Sequence, residues 1–423
     1  MLALLAALVV GVVWPSGVAI LVITALIVVG VGVDVSLAPS IRRLILRREG
    51  ERAVRLGEPA AVSLLIANPS SRRLRGRLRD AWPPSAGAVE DRHPIDIPAG
   101  ERRRVTTIMV PTRRGDRPAA RVTIRALGPL GLAGRQGSHV VPWSVRVLPP
   151  FASRRHLPGK LARLRELDGR TAVLVRGQGT EFDSLREYVP GDDVRSIDWR
   201  ATARAADVVV RTWRPERDRQ IVLVLDTSRT SAGRVGDAPR LDAAMDAALL
   251  LAALAARAGD RVDLLAYDRR LRAAVQGATA TDLLPSLVTA MAPLEPELVE
   301  SDAHGLVSML LSRAPRRSLV VLFTGLDAAA IEEGLLPMLP ALTRRHQVLI
   351  ASVADPRVEQ MAVGRGNLEA VYGAAAAERA RAERRRVIAA LSHRGVEVVD
   401  APPGLLPPQL ADAYLALKAA GRL

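Results

Sequence analysis

The chain begins with an uncharged apolar stretch: residues 1–33 contain no Asp, Glu, Lys or Arg. About 20 apolar residues suffice to cross a bilayer as a helix, and residues 17–37 meet that length alone. Residues 1–14 fall short and end at Trp14-Pro15, a helix-breaking point with an interfacial side chain. A cleaved signal peptide fits less well, since no basic residue precedes Arg42. We therefore predict a transmembrane helical hairpin over residues 1–40 with a short first leg.

Basic residues follow this apolar stretch at once. Five arginines lie between residues 42 and 52: Arg42, Arg43, Arg47, Arg48 and Arg52. Positively charged flanks of membrane helices stay in the cytoplasm. A single span and a hairpin with a short first leg give the same side for the rest of the chain. The sequence thus predicts cytoplasmic domains held at the membrane.

Composition excludes several classes of site. The 423 residues include no cysteine, which rules out disulfides, thiolate metal sites and cysteine nucleophiles. The six histidines show no metal-binding spacing. The net charge of +16 comes from arginines spread through every region, without an aromatic–basic stacking motif. We therefore expect no nucleic-acid partner.

Two folded domains are predicted after the membrane segment. Residues 50–150 read as short alternating strands separated by Gly/Pro turns, which is typical of an immunoglobulin-like β-sandwich. From residue 220 to 423, fully apolar strands such as "QIVLVLD" and "SLVVLF" alternate with helical segments. This pattern indicates a doubly wound α/β domain whose ligand site lies at the carboxyl ends of its strands.

The carboxyl end of the first α/β strand carries the pattern Asp-x-Ser-x-Thr. Asp226, Ser228 and Thr230 can present three oxygens from one turn, a ligand type that suits Mg²⁺. The alternative is a hydroxyl-rich turn that caps the strand and the following helix. Spacing leaves both interpretations open.

Residues 151–219 are predicted as a signature and linker region between the two domains. Its acids and arginines can serve as a charge network that fixes one geometry, or as a catalytic acid–base pair. No nucleophile, histidine or phosphate loop lies nearby in sequence, so we favour a structural hinge or partner-facing platform. The candidate residues are Glu181, Phe182, Asp183, Arg186, Tyr188, Gly191, Asp192, Asp193, Arg195, Asp198, Trp199 and Arg200.

The stretch "EFDSLREYVPGDDVRSIDWRATAR", with "VVVRTWRPERDRQIVLVLDTS" after it and "GPLGL" at 128–132, resembles the domain-of-unknown-function 58 family of bacterial membrane-anchored proteins. The resemblance implies a von Willebrand factor A-like domain, a plasma-membrane location and a MoxR-type AAA+ ATPase as partner, and it attaches no reaction. It also implies an adhesion-type Mg²⁺ site at Asp226, Ser228 and Thr230, completed by Ser301. Gly325 stands where that site would have an aspartate, and Asp327 follows two residues later.

Three functions are consistent with these features. The first is a non-enzymatic adaptor at the membrane that works with a MoxR-type ATPase in the assembly or maturation of other proteins. The second is a metal-dependent hydrolase centred on Asp226. The third is a structural envelope protein that binds anionic lipid through its positive charge.

Overall fold

A computed structural model describes residues 17–174, 181–190, 192, 194–204, 207–214 and 219–423. At residues 19, 168–174, 181–184 and 212–214 only the backbone is described. The chain divides into two compact units, residues 1–148 and 149–423. The second unit includes residues 151–219, which were predicted as a separate signature and linker region.

Unit 1 opens with one long apolar helix, α1 (Gly17–Leu37). The stretch Ile20–Arg43 is the one segment in the described part of the chain that is long and apolar enough to cross a membrane. Ten strands follow it: β1 (Ile45–Gly50), β2 (Ala53–Arg55), β3 (Ala60–Ala67), β4 (Leu74–Asp80), β5 (Arg92–Ile97), β6 (Arg102–Met109), β7 (Gly115–Pro118), β8 (Val122–Leu127), β9 (Gly134–His139) and β10 (Ser144–Leu148). Residues 1–14, predicted as the first leg of a hairpin, lie outside the described residues.

The strands of unit 1 form three sheets, in the orders β1-β3-β6, β5-β4-β8-β9 and β2-β10-β7. Along β3, side chains alternate between buried and more exposed positions, as expected for a strand with one face on a core. The main core lies between the first two sheets and joins side chains such as Leu64, Ile66, Leu78 and Ile124. Residues 50–150 therefore fold as layered β-sheets whose strands pair antiparallel, except β2 and β10, which pair in parallel.

A charged pair lies buried among the described residues of unit 1. Arg48 and Asp80 form an ion pair of 2.5 Å, and each side chain is 1% exposed. The indole of Trp82 and the hydroxyl of Thr107 also donate hydrogen bonds to Asp80, at 3.0 and 3.2 Å. The sequence places Arg48 in the basic flank of the membrane helix. In the structure its guanidinium is buried and pairs with Asp80, so it does not contribute to that flank. Arg42, Arg43, Arg47 and Arg52 are exposed and make up the remaining flank.

Unit 2 is an α/β unit built on a six-stranded sheet. Its elements are α2 (Leu157–Leu174), β11 (Glu181–Glu187), α3 (Trp199–Thr202), β12 (Val209–Arg214), β13 (Gln220–Asp226), α4 (Arg229–Ala232), β14 (Arg234–Val235), β15 (Ala238–Pro239), α5 (Arg240–Arg257), β16 (Arg261–Tyr267), β17 (Leu271–Val275), α6 (Leu283–Met291), α7 (Ala303–Arg313), β18 (Ser318–Phe323), a π-helix (Ala330–Leu335), α8 (Leu339–Thr343), β19 (Gln347–Val353), α9 (Pro356–Ala362), α10 (Leu368–Ser392), β20 (Glu397–Ala401) and α11 (Leu406–Ala419).

The large sheet has the order β17-β16-β13-β18-β19-β20, parallel except for the edge strand β17. Strands β18 and β19 are buried along their whole length, because helices cover both faces of the sheet. Helix α5 is apolar nearly all round, since it packs against the sheet on one side and against α2 and α11 on the other. A separate antiparallel pair, β11 and β12, carries the signature stretch.

Candidate functional site

At the centre of the large sheet, the loops that follow β13 and β18 begin side by side. Strand β13 pairs in parallel with β16 on one side and β18 on the other, so the chain leaves β13 at a point where the strand order reverses. Asp226 is the last residue of β13, and Thr324 comes directly after β18. In open α/β sheets, ligands bind in the crevice at such a switch point.

Asp226 lies at the bottom of this crevice and is 8% exposed. Its Oδ1 accepts a hydrogen bond from the Ser228 backbone N–H at 2.8 Å. Its Oδ2 accepts hydrogen bonds from the hydroxyls of Thr230 at 2.7 Å and Thr324 at 2.6 Å. Ser228 Oγ is 3.3 Å from Thr230 Oγ1. The Asp-x-Ser-x-Thr turn and the end of β18 thus form one polar cluster around a single carboxylate.

A cavity of about 450 Å³ opens beside this cluster. Its apolar wall includes Leu306, Phe323 and Ile331, which come from α7, β18 and the π-helix. Its polar wall includes Asp226, Thr230, Arg229, Glu300, Ser301 and Glu333. Binding pockets commonly combine such an apolar wall with a few polar groups that orient the ligand.

The charged groups around the cavity are acidic in balance. Arg229 pairs with Glu300 at 2.6 Å, which leaves Asp226 and the exposed Glu333 without a neutralising cation among the described residues of the cavity wall. Burial, reinforced by the carboxylate of Asp302, raises the pKa of the Tyr267 phenol above its ordinary value. Tyr267 is thus a neutral phenol at the cavity wall, and its hydroxyl donates toward the Arg269 carbonyl at 3.4 Å and Asp302 Oδ2 at 3.5 Å.

The Asp-x-Ser-x-Thr cluster has one carboxylate fewer than the family resemblance implies for an adhesion-type Mg²⁺ site, because Gly325 stands where an aspartate is expected. Asp226 is the one carboxylate in the hydroxyl cluster, and the described residues contain no group of three His, Asp or Glu side chains that could hold a metal. A Cβ atom at Gly325 would lie 3.3 Å from Cβ of Thr230, so an aspartate at 325 would point into the cluster. Asp327 is exposed and does not line the cavity. Ser301 does line it.

Arg240 approaches the same place from α5. Its Nη1 would lie 3.7 Å from a Cβ atom at position 325, and its buried Nε has no hydrogen-bond partner among the described residues. Burial and the nearby Arg384 lower the pKa of this guanidinium. A half-buried cation therefore lies beside Gly325, at the edge of the hydroxyl cluster.

The signature stretch forms a local charge network. Arg186 donates to Asp192 Oδ1 at 2.6 Å, and Asp192 Oδ2 accepts from the Val189 N–H at 2.9 Å. Asp198 caps α3 by accepting from the backbone N–H groups of residues 200 and 201, and Arg211 donates to it at 2.8 Å. The N–H of Ala201, followed by Arg211, holds the pKa of Asp198 below its ordinary value. These acids are used as turn, cap and ion-pair partners.

The remaining signature residues are exposed, half-buried, or outside the residues that the structure describes. Trp199 is 69% exposed, Arg195 and Arg200 are exposed, and Tyr188 is half-buried. For Glu181, Phe182 and Asp183 only the backbone is described, within β11. Gly191 and Asp193 lie outside the described residues. None of the described signature residues lines the cavity.

Several cavity residues were missed at the level of sequence. The family resemblance predicts an aspartate in the loop after β18. The residue that contributes to the cluster there is instead Thr324, through its hydroxyl. Glu300 and Glu333 belong to loop and helix segments with no motif. Glu300 is held beside the turn after β13 by a hydrogen bond from the Arg229 N–H to the Val299 carbonyl at 2.9 Å, and Glu333 follows β18, which pairs with β13. Residue spacing reveals neither contact.

Comparisons with known proteins agree with the signature. Residues 184–392 match the profile of the family described as "Protein of unknown function DUF58". Uncharacterized proteins of Mycobacterium bovis and Mycobacterium tuberculosis are each 30% identical over 193 residues, which is 45% of this chain. The match covers 60% of those relatives, less than two thirds of their length.

Solved structures add little. The CARDB domain of a Pyrococcus furiosus protein, in complex with di-metal ions, is 15% identical and covers 26% of this chain and 94% of its own, with a TM-score of 0.20. A β-glucosidase from Listeria innocua is 15% identical with a TM-score of 0.17 and covers 25% of this chain and 16% of its own. These TM-scores are too low to support an argument.

Proposed function

Residues 184–392 of this chain belong to the DUF58 family, and from that premise we propose a protein-interaction function at the bacterial plasma membrane. The protein is a membrane-anchored adaptor whose domains face the cytoplasm and whose partner is a MoxR-type AAA+ ATPase. Together they act in the assembly or maturation of other proteins. Unit 2 serves as a von Willebrand factor A-like binding domain within this proposal.

The observation that carries the proposal is the cavity at the carboxyl edge of β13 and β18. It lies where doubly wound domains bind ligands, and its wall combines apolar side chains with the carboxylates of Asp226 and Glu333. A cavity of about 450 Å³ accommodates one or two side chains of a partner protein. The acidic balance at its mouth favours a partner segment that carries a cation.

The chemistry around the cavity favours binding over reaction. Both oxygens of Asp226 accept hydrogen bonds from the chain itself, so this carboxylate already has partners without a substrate. In the signature, Asp192 and Asp198 are paired with arginines. These arrangements support the adaptor over a hydrolase centred on Asp226.

Anchoring follows from α1 and its flank. The helix is almost wholly exposed within the described protein, as a bilayer-spanning helix would be. Four exposed arginines follow it, at positions 42, 43, 47 and 52. Such a flank supports the cytoplasmic placement of both units.

Binding to the ATPase provides the test. Full-length protein in lipid nanodiscs is mixed with a purified MoxR-type ATPase, with a non-hydrolysable ATP analogue to trap the complex, and affinity is measured by interferometry. Glu333→Arg reverses a charge at the cavity mouth and is expected to weaken binding about tenfold, since 1.4 kcal/mol separates each factor of ten. Glu295→Arg is the matched control, because Glu295 is exposed and does not line the cavity.

Two results would argue against the proposal. If wild-type protein binds no MoxR-type ATPase in any nucleotide state, the partnership is wrong. If both arginine variants weaken binding equally, general charge and not the cavity determines the interaction.

A further inference from the structure

The loop between β8 and β9, residues 128–133, exposes two leucines. Leu130 is 59% exposed and Leu132 is 45% exposed, although their neighbours on β8 and β9 pair in a regular sheet. Single exposed leucines are common on protein surfaces, and by themselves they indicate nothing. What gives this pair significance is its position beside α1.

Both leucines lie against the apolar part of the helix. A Cβ atom at Gly30 would lie 2.9 Å from Cδ1 of Leu132 and 4.0 Å from Cδ1 of Leu130. The absence of a side chain at position 30 allows this close approach. The leucine loop, residues 128–133, therefore stands at the level of Gly30, four residues before the first charged residue of the chain.

That charged residue, Asp34, fixes the loop in place. Its side chain is fully buried, with Oδ1 accepting from the Leu130 N–H at 2.7 Å and Oδ2 from the Ala133 N–H at 2.8 Å. A Cβ atom at Gly128 would overlap the Asp34 side chain, so the loop can close around this carboxylate only with glycine there. Asp34 thus clamps the leucine loop to the helix.

Strand β9 then runs alongside the chain as it leaves the helix. Arg135 Nε donates to the Val35 carbonyl at 3.1 Å, and His139 Nε2 is 3.0 Å from the Ile41 carbonyl oxygen. These contacts show that β9 runs in the same direction as the chain from the helix to Ile41. The end of β9 next to the leucine loop lies near Gly30, and its other end lies near Ile41. Arg72 also reaches the helix end and donates to the Ser36 carbonyl at 2.9 Å.

The helix sets the depth of the leucines. From Gly17 to Val33 it carries no charge, and at about 1.5 Å per residue this stretch is about 26 Å long, most of the roughly 30 Å hydrocarbon core. Asp34 then marks the membrane boundary, and Gly30 lies about one helical turn on the lipid side of it. Side chains packed against Gly30 lie at that same depth.

We propose that the leucine loop is a second membrane contact, with Leu130 and Leu132 inserted among the lipid acyl chains beside α1. The bilayer is the partner: it covers the exposed apolar surface, while Arg72 and Arg135 lie at the level of the anionic headgroups, where arginine side chains are stabilised. The clamp at Asp34 holds the β-sheets of unit 1 at the membrane surface. This inference rests on the proposed function in one respect, that α1 spans the membrane.

Site-specific probes in the full chain test the proposal, and the natural absence of cysteine makes them simple to place. Leu130→Cys, Leu132→Cys and Val140→Cys are labelled with an environment-sensitive fluorophore, and the protein is placed in liposomes containing spin-labelled quencher lipids. Val140 is the matched control, because it is an apolar residue, 74% exposed, that follows the far end of β9. We expect blue-shifted, lipid-quenched emission at 130 and 132 and unquenched emission at 140.

A fourth probe separates the two proposals. Val22→Cys lies in α1 and is quenched if the helix spans the membrane. Quenching at 22 without quenching at 130 and 132 overturns the leucine-loop contact alone, whereas no quenching at 22 overturns the membrane anchor itself. A blue shift at 132 that lipid quenchers do not affect means that a second protein covers the loop, which also overturns the proposal.

Thiol reactivity gives a readout that does not depend on a bulky label. In intact liposomes a membrane-impermeant maleimide is expected to modify Leu132→Cys about tenfold or more slowly than Val140→Cys, because an apolar environment disfavours the thiolate. Solubilisation in denaturing detergent should equalise the two rates. Equal rates in liposomes would contradict insertion of the loop.

Discussion

Asp34 in unit 1 and Asp226 in unit 2 are both buried carboxylates that lie at the end of a regular element, yet their hydrogen-bond donors differ in kind. Asp34 accepts from two backbone N–H groups of a loop that closes around it. Asp226 accepts from two hydroxyls and one backbone N–H at the wall of an open cavity. A backbone donor has one direction, whereas a hydroxyl can rotate toward a ligand.

The difference explains why one aspartate is structural and the other is a candidate for binding. Removing Asp34 leaves the N–H groups of Leu130 and Ala133 without the acceptor around which the loop closes. Removing Asp226 leaves hydroxyls that can turn to one another or to water, as Ser228 and Thr230 already approach within 3.3 Å. Burial alone, at 0% and 8% exposure, does not separate the two roles.

The largest expected effect follows from Asp34→Ala. Two partly buried N–H donors lose their acceptor, and at roughly 1–3 kcal/mol for a donor left unsatisfied the free energy of unfolding of unit 1 should fall by about 2–4 kcal/mol, because water reaches part of this exposed loop. Thermal and denaturant unfolding of the full chain in detergent would measure this loss. Gly128→Ala should reproduce much of it, because its Cβ atom would displace the same carboxylate. A smaller loss of unfolding free energy for Asp34→Ala than for Asp226→Ala would contradict the assignment of Asp34 as the structural carboxylate.

The next effect concerns the missing second carboxylate. Gly325→Asp is expected to create an Mg²⁺ site with Asp226, Ser228 and Thr230, while wild type shows no Mg²⁺-dependent change in melting temperature. At an Mg²⁺ concentration about 100 times the dissociation constant, the stabilisation should reach about 2.7 kcal/mol. The measurement is a thermal shift with Mg²⁺ and with chelator.

Arg240 offers an alternative outcome for this variant. If the introduced carboxylate pairs with the half-buried guanidinium of Arg240, Gly325→Asp would be more stable than wild type in chelator and would not respond to Mg²⁺. Gly325→Asn is the matched control, since it adds similar volume without charge and should give no metal response. A Mg²⁺ response in wild type would show that one carboxylate suffices.

A smaller effect is expected from Asp226→Ala. The three donors around Asp226 can find other acceptors, so unfolding should become easier by only about 1–2 kcal/mol. Binding to the proposed ATPase should weaken as well, since the polar wall of the cavity is changed. Asp226→Asn keeps an acceptor and should preserve stability more fully than alanine. A loss in stability as large as that of Asp34→Ala would mean that Asp226 too is mainly structural.

Sequence patterns predicted those parts of the protein that depend on residues close to one another in the sequence. Residues 17–37, predicted as a span, form α1 over the same range. The apolar strands at 220–226 and 318–323 lie in the large sheet, as their uninterrupted hydrophobicity indicates. The signature was recognised from its residues, and the family match covers most of it.

What the sequence did not predict depends on distant contacts. Asp34 meets Leu130 and Ala133 about 100 positions away, and Thr324 reaches Asp226 across 98 positions. Arg48 was assigned to the membrane flank because its partner, Asp80, lies on another strand. Strand pairing determines each of these contacts, and residue periodicity carries no information about which strands pair.

The smallest effect concerns another buried carboxylate, Asp260, whose partners are the ionisable side chains Tyr414 and Lys418. Burial raises its pKa above the ordinary value of 3.8, and Lys418 opposes that shift without cancelling it. The folded protein therefore keeps this proton at a pH where the unfolded chain has lost it. Stability should fall as pH rises from 3.8 through the folded-state pKa, and the contribution should be constant above it.

Comparison with Asp260→Asn isolates this contribution. The melting temperature of wild type relative to the variant should decrease as pH is raised through that window. Lys418→Met should enlarge the decrease, because the charge that opposes burial is removed. A relative melting temperature that instead rises with pH would mean that Lys418 and Tyr414 hold the pKa of Asp260 below its ordinary value. Asp260 would then resemble Asp34, as a carboxylate whose charge the fold fully satisfies.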